Sequence, residues 1–271
     1  MAFDHPTTLT DGELERRQLA GLMLDGQATI QNEPDAVRFM RSVGFALRYD
    51  ATPGLPLAAM FRAAGEKRRA IELTNMLLAR AEAIETNVIA GRLVLLHPDV
   101  VPAVYALRKR NCAAELSSNA KRALELIRRD GHATSGDVRR HLGVAGLKRP
   151  DPGDLALEEL QQEMLIDRGP SSVPKKGIPY LSPEGFPYRI FEKAHPGLVR
   201  AGKRMKAADA ICSVIETYLR AAVFVTPRKL ASMFKLLFSE SEMHEAIAAL
   251  VQANKTLPTR NYVLYVPMKG D

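Results

Sequence analysis

Residues 71–97, IELTNMLLARAEAIETNVIAGRLVLLH, change period halfway along. Up to Ala81 the apolar residues recur at helical spacing, with Ile71, Leu77 and Leu78 supplying the contact side. From Ala83 to Ile89, and again over Arg92 to Leu96, the pattern becomes that of strands. Ala90-Gly91 between the two runs has the length and composition of a tight hairpin turn. The stretch therefore predicts a helix followed by a β-hairpin. The same succession returns at residues 154–182 and 241–267, and there two shorter helical stretches come first.

Helices followed by a small hairpin outline a winged helix, a helix-turn-helix unit with a β "wing". The chain reads as mainly α with small β-hairpins (α+β), in three tandem winged-helix modules. The divisions fall at 1–33 for a tail and first helix, then 34–111, 112–200 and 201–271 for modules one, two and three. Local signals mark the elements. Asp11 starts a helix reaching about Leu24, and Asp35 to Arg48 reads as a second. Thr134 with Asp137 and Ser239 with Glu242 are capping boxes. Thr226-Pro227 places proline at the first helical position. The second hairpin is expected from Leu165–Asp167 and Ile178–Leu181, the third from 255–258 and 262–266. Asn111–Leu116 and His195–Met205 read as linkers.

The 271 residues carry a net charge of +7, unevenly spread. Residues 61–150 hold 17 Lys and Arg against 9 Asp and Glu, and residues 200–271 hold 11 against 6. A positive field concentrated on two stretches points to a polyanionic partner, double-stranded DNA for modules of this kind. Cys112 and Cys212 stand alone, with no Cys-x-x-Cys spacing, so no structural zinc is expected and a reduced cytoplasm fits. No apolar run is long enough to span a bilayer, and the N-terminus has no signal core, so a soluble cytoplasmic protein is expected. His-Glu-x-x-His, phosphate-loop, Gly-x-Gly-x-x-Gly and Gly-x-Ser-x-Gly signatures are missing, and the six histidines do not cluster at ligand spacing. No cofactor and no metal are expected.

Candidate phosphate contacts are Lys67, Arg68 and Arg69 at the start of the first module's long helix. In module two they are Arg139, Arg140, Lys148 and Arg149, with Lys175 and Lys176 in the wing. In module three they are Arg228, Lys229 and Lys235. The last helix of a helix-turn-helix normally enters the major groove. In module two that helix carries Asp154, Glu158, Glu159 and Glu163, and in module three Glu240, Glu242 and Glu245. Phosphate would repel those carboxylates, so these helices are expected to pack on other modules or to face away from DNA. Binding would then rest on phosphates and shape.

AEAIETNVIAGRLVLLHPDVVPAVYALRKR (Ala81–Arg110) is similar to the part of AlkZ/YcaQ-type DNA glycosylases where a β-hairpin meets a basic helix. LALEELQQEMLIDRG and IPYLSPEGFPYRIFEKAHP, within Leu155–Pro196, resemble that family's next winged helix. The resemblance spans about residues 34–267. It implies a tandem winged-helix fold that cradles duplex DNA on a basic surface and excises alkylated or crosslinked bases without a metal. The family's catalytic motif is Gln-x-Gln or Gln-x-Asp near the end of an early helix. Its outer positions fall on Gly44 and Ala46 here, whose side chains cannot hold a water.

Three readings follow. The first is a DNA-binding protein without catalysis. The second is a glycosylase with an altered site, its general base drawn from Glu33, Asp50 or Glu85. The third is a protein-interaction scaffold that holds another protein or a second copy of itself through the acidic helices.

Overall fold

A computed structural model describes residues 10–26, 30–111, 115–170, 184–259 and 261–266. Helix α1 (Asp11–Gly21), capped by the Thr10 hydroxyl, precedes three units that repeat one order: helix, strand, helix, helix, strand, strand. The first unit comprises α2 (Glu33–Val43), β1 (Phe45–Leu47), α3 (Met60–Ala64), α4 (Lys67–Ala79), β3 (Ile84–Ile89) and β4 (Arg92–Leu96), with an added strand β2 (Ala58–Ala59) before α3. The second comprises α6 (Ser118–Asp130), β5 (His132–Thr134), α7 (Ser135–Leu142), α8 (Pro152–Gln162), β6 (Ile166–Arg168) and β7 (Pro187–Ile190). The third comprises α11 (Ala207–Ala222), β8 (Phe224–Val225), α12 (Pro227–Phe234), α13 (Glu240–Gln252), β9 (Thr256–Pro258) and β10 (Val263–Tyr265). Helix α5 (Val101–Arg110) joins the first unit to the second, and α9 (Phe191–Ala194) with α10 (Pro196–Arg204) joins the second to the third. The sheets are ordered β2-β1-β4-β3, β5-β7-β6 and β8-β10-β9. In each, the strand after the first helix pairs antiparallel with the last strand of the hairpin.

That first strand departs from the sequence reading. The helix expected to reach Arg48 stops at Val43, because Gly44 turns to φ 68° and Phe45–Leu47 leave as β1. Gly131 (φ 78°) and Val223 (φ 64°) end α6 and α11 in the same way. The expected linker at His195–Met205 is mostly helix α10. Leu198, Val199 and Gly202 supply an inward face, and α10 packs along α5. A Cβ at Gly202 would lie 2.8 Å from the Pro102 carbonyl oxygen, so only glycine allows that approach. The expected strand Ile178–Leu181 lies outside the described residues, and the strand that pairs with β6 is β7.

The third helix of each unit ends identically. Ala81 (φ 55°), Met164 (φ 49°) and Asn254 (φ 55°) adopt the left-handed conformation, and the next amide donates back to the carbonyl five residues earlier. This is the Schellman closure, here without glycine. A left-handed non-glycine residue costs about 1–2 kcal/mol. Ala81 is exposed and loses no packing on truncation. Ala81→Gly is therefore expected to raise the unfolding free energy by up to about 1 kcal/mol in urea titrations, after the entropy glycine adds to the unfolded chain. A loss of stability would show that the entropy dominates.

Among the described residues, most buried apolar side chains gather into two clusters. The larger draws Phe39, Met40 and Val43 from α2, Val104 and Leu107 from α5, and Ile215, Tyr218 and Leu219 from α11. The Phe234 ring meets Phe45 at 5.8 Å and Tyr218 at 5.5 Å. The first and third units thus share one core, although the second lies between them in the chain. The second unit keeps its own, built on Leu124, Ile127, Val138, Leu157, Leu160 and Ile166.

Candidate nucleic-acid interface

Helix α5 ends in three consecutive cations, each drawn inward. Arg108 donates from Nε to the Gln162 carbonyl at 2.7 Å and ion-pairs with Glu163, so it closes the C-terminal end of α8. Lys109 donates to the Glu163 carbonyl at 3.0 Å. Cations suit that end of a helix, where carbonyls lack partners and the dipole is negative. Arg110 pairs with Glu242 of α13 at 2.8 Å, and Asn111 donates to the Leu237 carbonyl at 2.7 Å. Four successive residues therefore tie the second and third units to α5.

The two acidic third helices differ in placement. Helix α8 packs against α6, α7 and β3, the last a strand of the first unit, and within it only Leu155 is exposed. Its N-terminus is built by two of the basic candidates. Asp151 caps it and pairs with Arg139 at 2.6 Å, while Arg149 grips Asp154, whose carboxylate accepts from the Asp151 amide. Burial works against the Asp154 charge, but Arg149 and the Asp151 amide outweigh it and hold its pKa below the usual range. Glu159 accepts from the Ser117 amide and hydroxyl. Helix α13 packs on α11 and leaves His244 and Glu245 exposed.

The other candidates divide sharply. Arg68 pairs with Glu72 one turn on, and Arg69 donates to the Gln31 side chain at 3.1 Å. Arg140 pairs with Glu184 and Asp137. Glu184 is held below the ordinary carboxylate range chiefly by that guanidinium, and Asp137 chiefly by the Thr134 hydroxyl and amide. Lys67 is exposed at the start of α4. Lys148, Arg228, Lys229 and Lys235 have no ion-pair partner among the described residues. Lys175 and Lys176 lie outside the described residues. Sequence reading passed over Arg200, Lys203 and Arg204, because a linker was expected there; all three are exposed on α10. The signal that could have found them was the i, i+3, i+4 spacing of cations opposite Leu198, Val199 and Gly202.

The carboxylates offered as a general base are engaged elsewhere. Glu85 is fully buried, with Arg48 on one carboxylate oxygen and Arg168 on the other at 2.9 Å. Both guanidinium groups also cover the Phe186 ring, at 4.8 Å and 4.1 Å. Burial opposes the Arg168 charge, yet the facing Glu85 outweighs it and keeps the pKa raised. Glu33 pairs with Arg80 at 2.6 Å on the surface, and Asp50 accepts from the Ala51 amide at 2.9 Å.

Gly44 and Ala46 are enclosed. Helix α11 crosses Gly44 so closely that an added Cβ would stand 2.3 Å from Thr217 Cγ2. The Gly44 carbonyl accepts from the His97 amide at 2.9 Å. Ala46 is fully buried in the sheet, between Ala58 and Leu95. Burial holds the His97 ring below its ordinary pKa, with Asp99 opposing and Arg41 assisting. His195 is buried against Asp167, Nε2 to Oδ2 at 2.8 Å, and Arg189 completes that cluster at 3.0 Å. Among the described residues, no three His, Cys, Asp or Glu side chains gather to hold a metal, and no helix is long and apolar enough to cross a membrane.

No protein-family profile matches this chain, and no curated protein does. A comparison with solved structures finds the DNA glycosylase AlkZ of Streptomyces sahachiroi, with 13% identity and a TM-score of 0.59 over 93% of this chain and 69% of that one. The chain shares a mixed α and β fold with that structure, and at this identity the likeness is one of fold.

Proposed function

We propose that this chain binds duplex DNA through three winged helices, at 34–111, 112–200 and 201–271, holding phosphates and shape without excising a base. Its fold is like that of the Streptomyces sahachiroi DNA glycosylase AlkZ. The observation that carries the non-catalytic part is the packing at Gly44 and Ala46, where the resemblance would put water-holding side chains and where protein fills the space. The burial of α8 against the first unit favours backbone contacts over groove reading. In this reading Lys148, Arg228, Lys229 and Lys235 offer free charge. Lys67, Arg68, Arg69 and Arg140 can turn outward at modest cost, since exposed ion pairs are weak. Arg139 and Arg149 serve the cap of α8. The reading calls for no metal or cofactor.

Fluorescence anisotropy with a labelled duplex tests it. Affinity is expected to fall steeply with salt, log K against log salt sloping by about −0.9 for each phosphate neutralised. Incubation with alkylated duplex is expected to release no base. Binding that is absent at low ionic strength would end the reading, and base release would move the protein to the glycosylase alternative.

A further inference from the structure

The segment Lys193–Lys206, KAHPGLVRAGKRMK, carries five Lys and Arg and no carboxylate. Helix α10 within it is held by its inner face: Val199 is buried, and Gly202 lies under the Tyr105 ring and the Pro102 carbonyl of α5. The outer face is left to Gly197, Arg200, Ala201, Lys203 and Arg204, all exposed. Lys193, Arg200, Arg204 and Lys206 have no partner among the described residues. The neighbouring acid, Glu192, is drawn down by the Tyr105 hydroxyl and reaches only Lys203, at 3.7 Å. Elsewhere Arg68, Arg139, Arg140 and Arg149 are matched by carboxylates, and the unpaired Lys148, Arg228, Lys229 and Lys235 are divided between the loop before α8 and the stretch of α12 and its end.

We infer that the outer face of α10 is the principal phosphate-binding surface of the protein, and that the backbone of a DNA duplex is its occupant. The inference rests on the duplex-binding reading above and places its centre on a connecting helix outside the three repeated units. Complementarity of charge and shape carries it. Arg200 and Arg204 stand one turn apart, about 5–6 Å at Cβ, so they can meet neighbouring phosphates of one strand. Their planar guanidinium groups take phosphate oxygens in pairs. Gly197 and Ala201, on the same face, leave it low enough for a backbone ridge to approach. The rigid seat on α5 holds the cations in place before binding, which lowers the ordering cost.

The test compares two variants of equal charge loss in the full chain, by anisotropy with a labelled duplex across a salt series. One is Arg200→Ala/Lys203→Ala/Arg204→Ala. The other is Lys148→Ala/Arg228→Ala/Lys235→Ala. The α10 variant is expected to lose more than about tenfold in affinity at low salt and to flatten the log–log slope by about 2.7, three phosphates at 0.9 each. The second variant is expected to lose less than the α10 variant in both affinity and slope, and Arg200→Lys/Arg204→Lys to keep most of the binding. Single changes Arg200→Ala and Arg204→Ala, each flattening the slope by about 0.9, guard against a fold defect, and circular dichroism melts check it directly. Wild-type binding with both triple variants equally weakened, or with the α10 variant unchanged, overturns the inference and leaves the duplex-binding reading standing. A wild-type chain that does not bind duplex ends both.

Discussion

Glu85→Ala is expected to lower the unfolding free energy by about 3–5 kcal/mol, the range for breaking a buried ion pair by removing one partner. The size follows from what remains. Arg48 and Arg168 are 2% and 7% exposed, and both ion-pair with Glu85. Removing the carboxylate leaves two cations facing each other without a counter-ion, far from water. Glu85→Gln, which keeps the shape and loses the charge, is expected to cost a large share of the same amount. Methionine at all three positions is expected to recover much of the loss, because packed apolar groups often replace a buried ionic cluster without net cost. Urea unfolding of the four proteins measures this. A Glu85→Ala protein within about 1 kcal/mol of wild type would show that water or movement relieves the arginines. The cluster also joins units, since Arg48 and Glu85 belong to the first and Arg168 and Phe186 to the second. Its loss should loosen their contact before global unfolding, visible as faster amide exchange in β3 and β6.

Gly44→Gln, which restores the residue type that the resemblance expects at this position, is expected to destabilise the protein by about 2–5 kcal/mol and to confer no base release. Two terms add. A side chain at φ 68° costs about 1–2 kcal/mol. Overpacking a filled core costs about 1–3 kcal/mol, and here the first added carbon would already stand 2.3 Å from Thr217 Cγ2. Adding Thr217→Ala removes that methyl group and is expected to return part of the second term only. Thermal melts and a base-release assay on the two variants check both halves. A stable Gly44→Gln protein that frees alkylated bases would show that the site opens, and the non-catalytic reading would fall.

Much of the repeat was legible because its signals are local. The capping boxes at Thr134–Asp137 and Ser239–Glu242 form as their spacing requires. Ala90-Gly91 turns the first hairpin with both residues at positive φ. The short strand after the first helix of each unit escaped notice, since two or three residues after a helix end hold too little periodicity to register. The packing of α8 on the first unit agrees with the expectation that its carboxylates keep it off a groove, while α13 packs within its own unit.

The candidate site was less legible. Arg139 and Lys148 look alike in the sequence, as cations on or just after a short helix. One is consumed by Asp151 and the other is free, and that depends on which carboxylate the fold brings near. The sequence by itself determined most of the helices, the first and third hairpins and the basic balance, all of which rest on neighbours in the chain. Tertiary structure alone decided that the first and third units share a core, that Glu85 is locked between two arginines, that Gly44 lies beneath α11, and which cations still face solvent. Each of those depends on contacts between residues far apart in the chain, and spacing along the sequence carries no record of them.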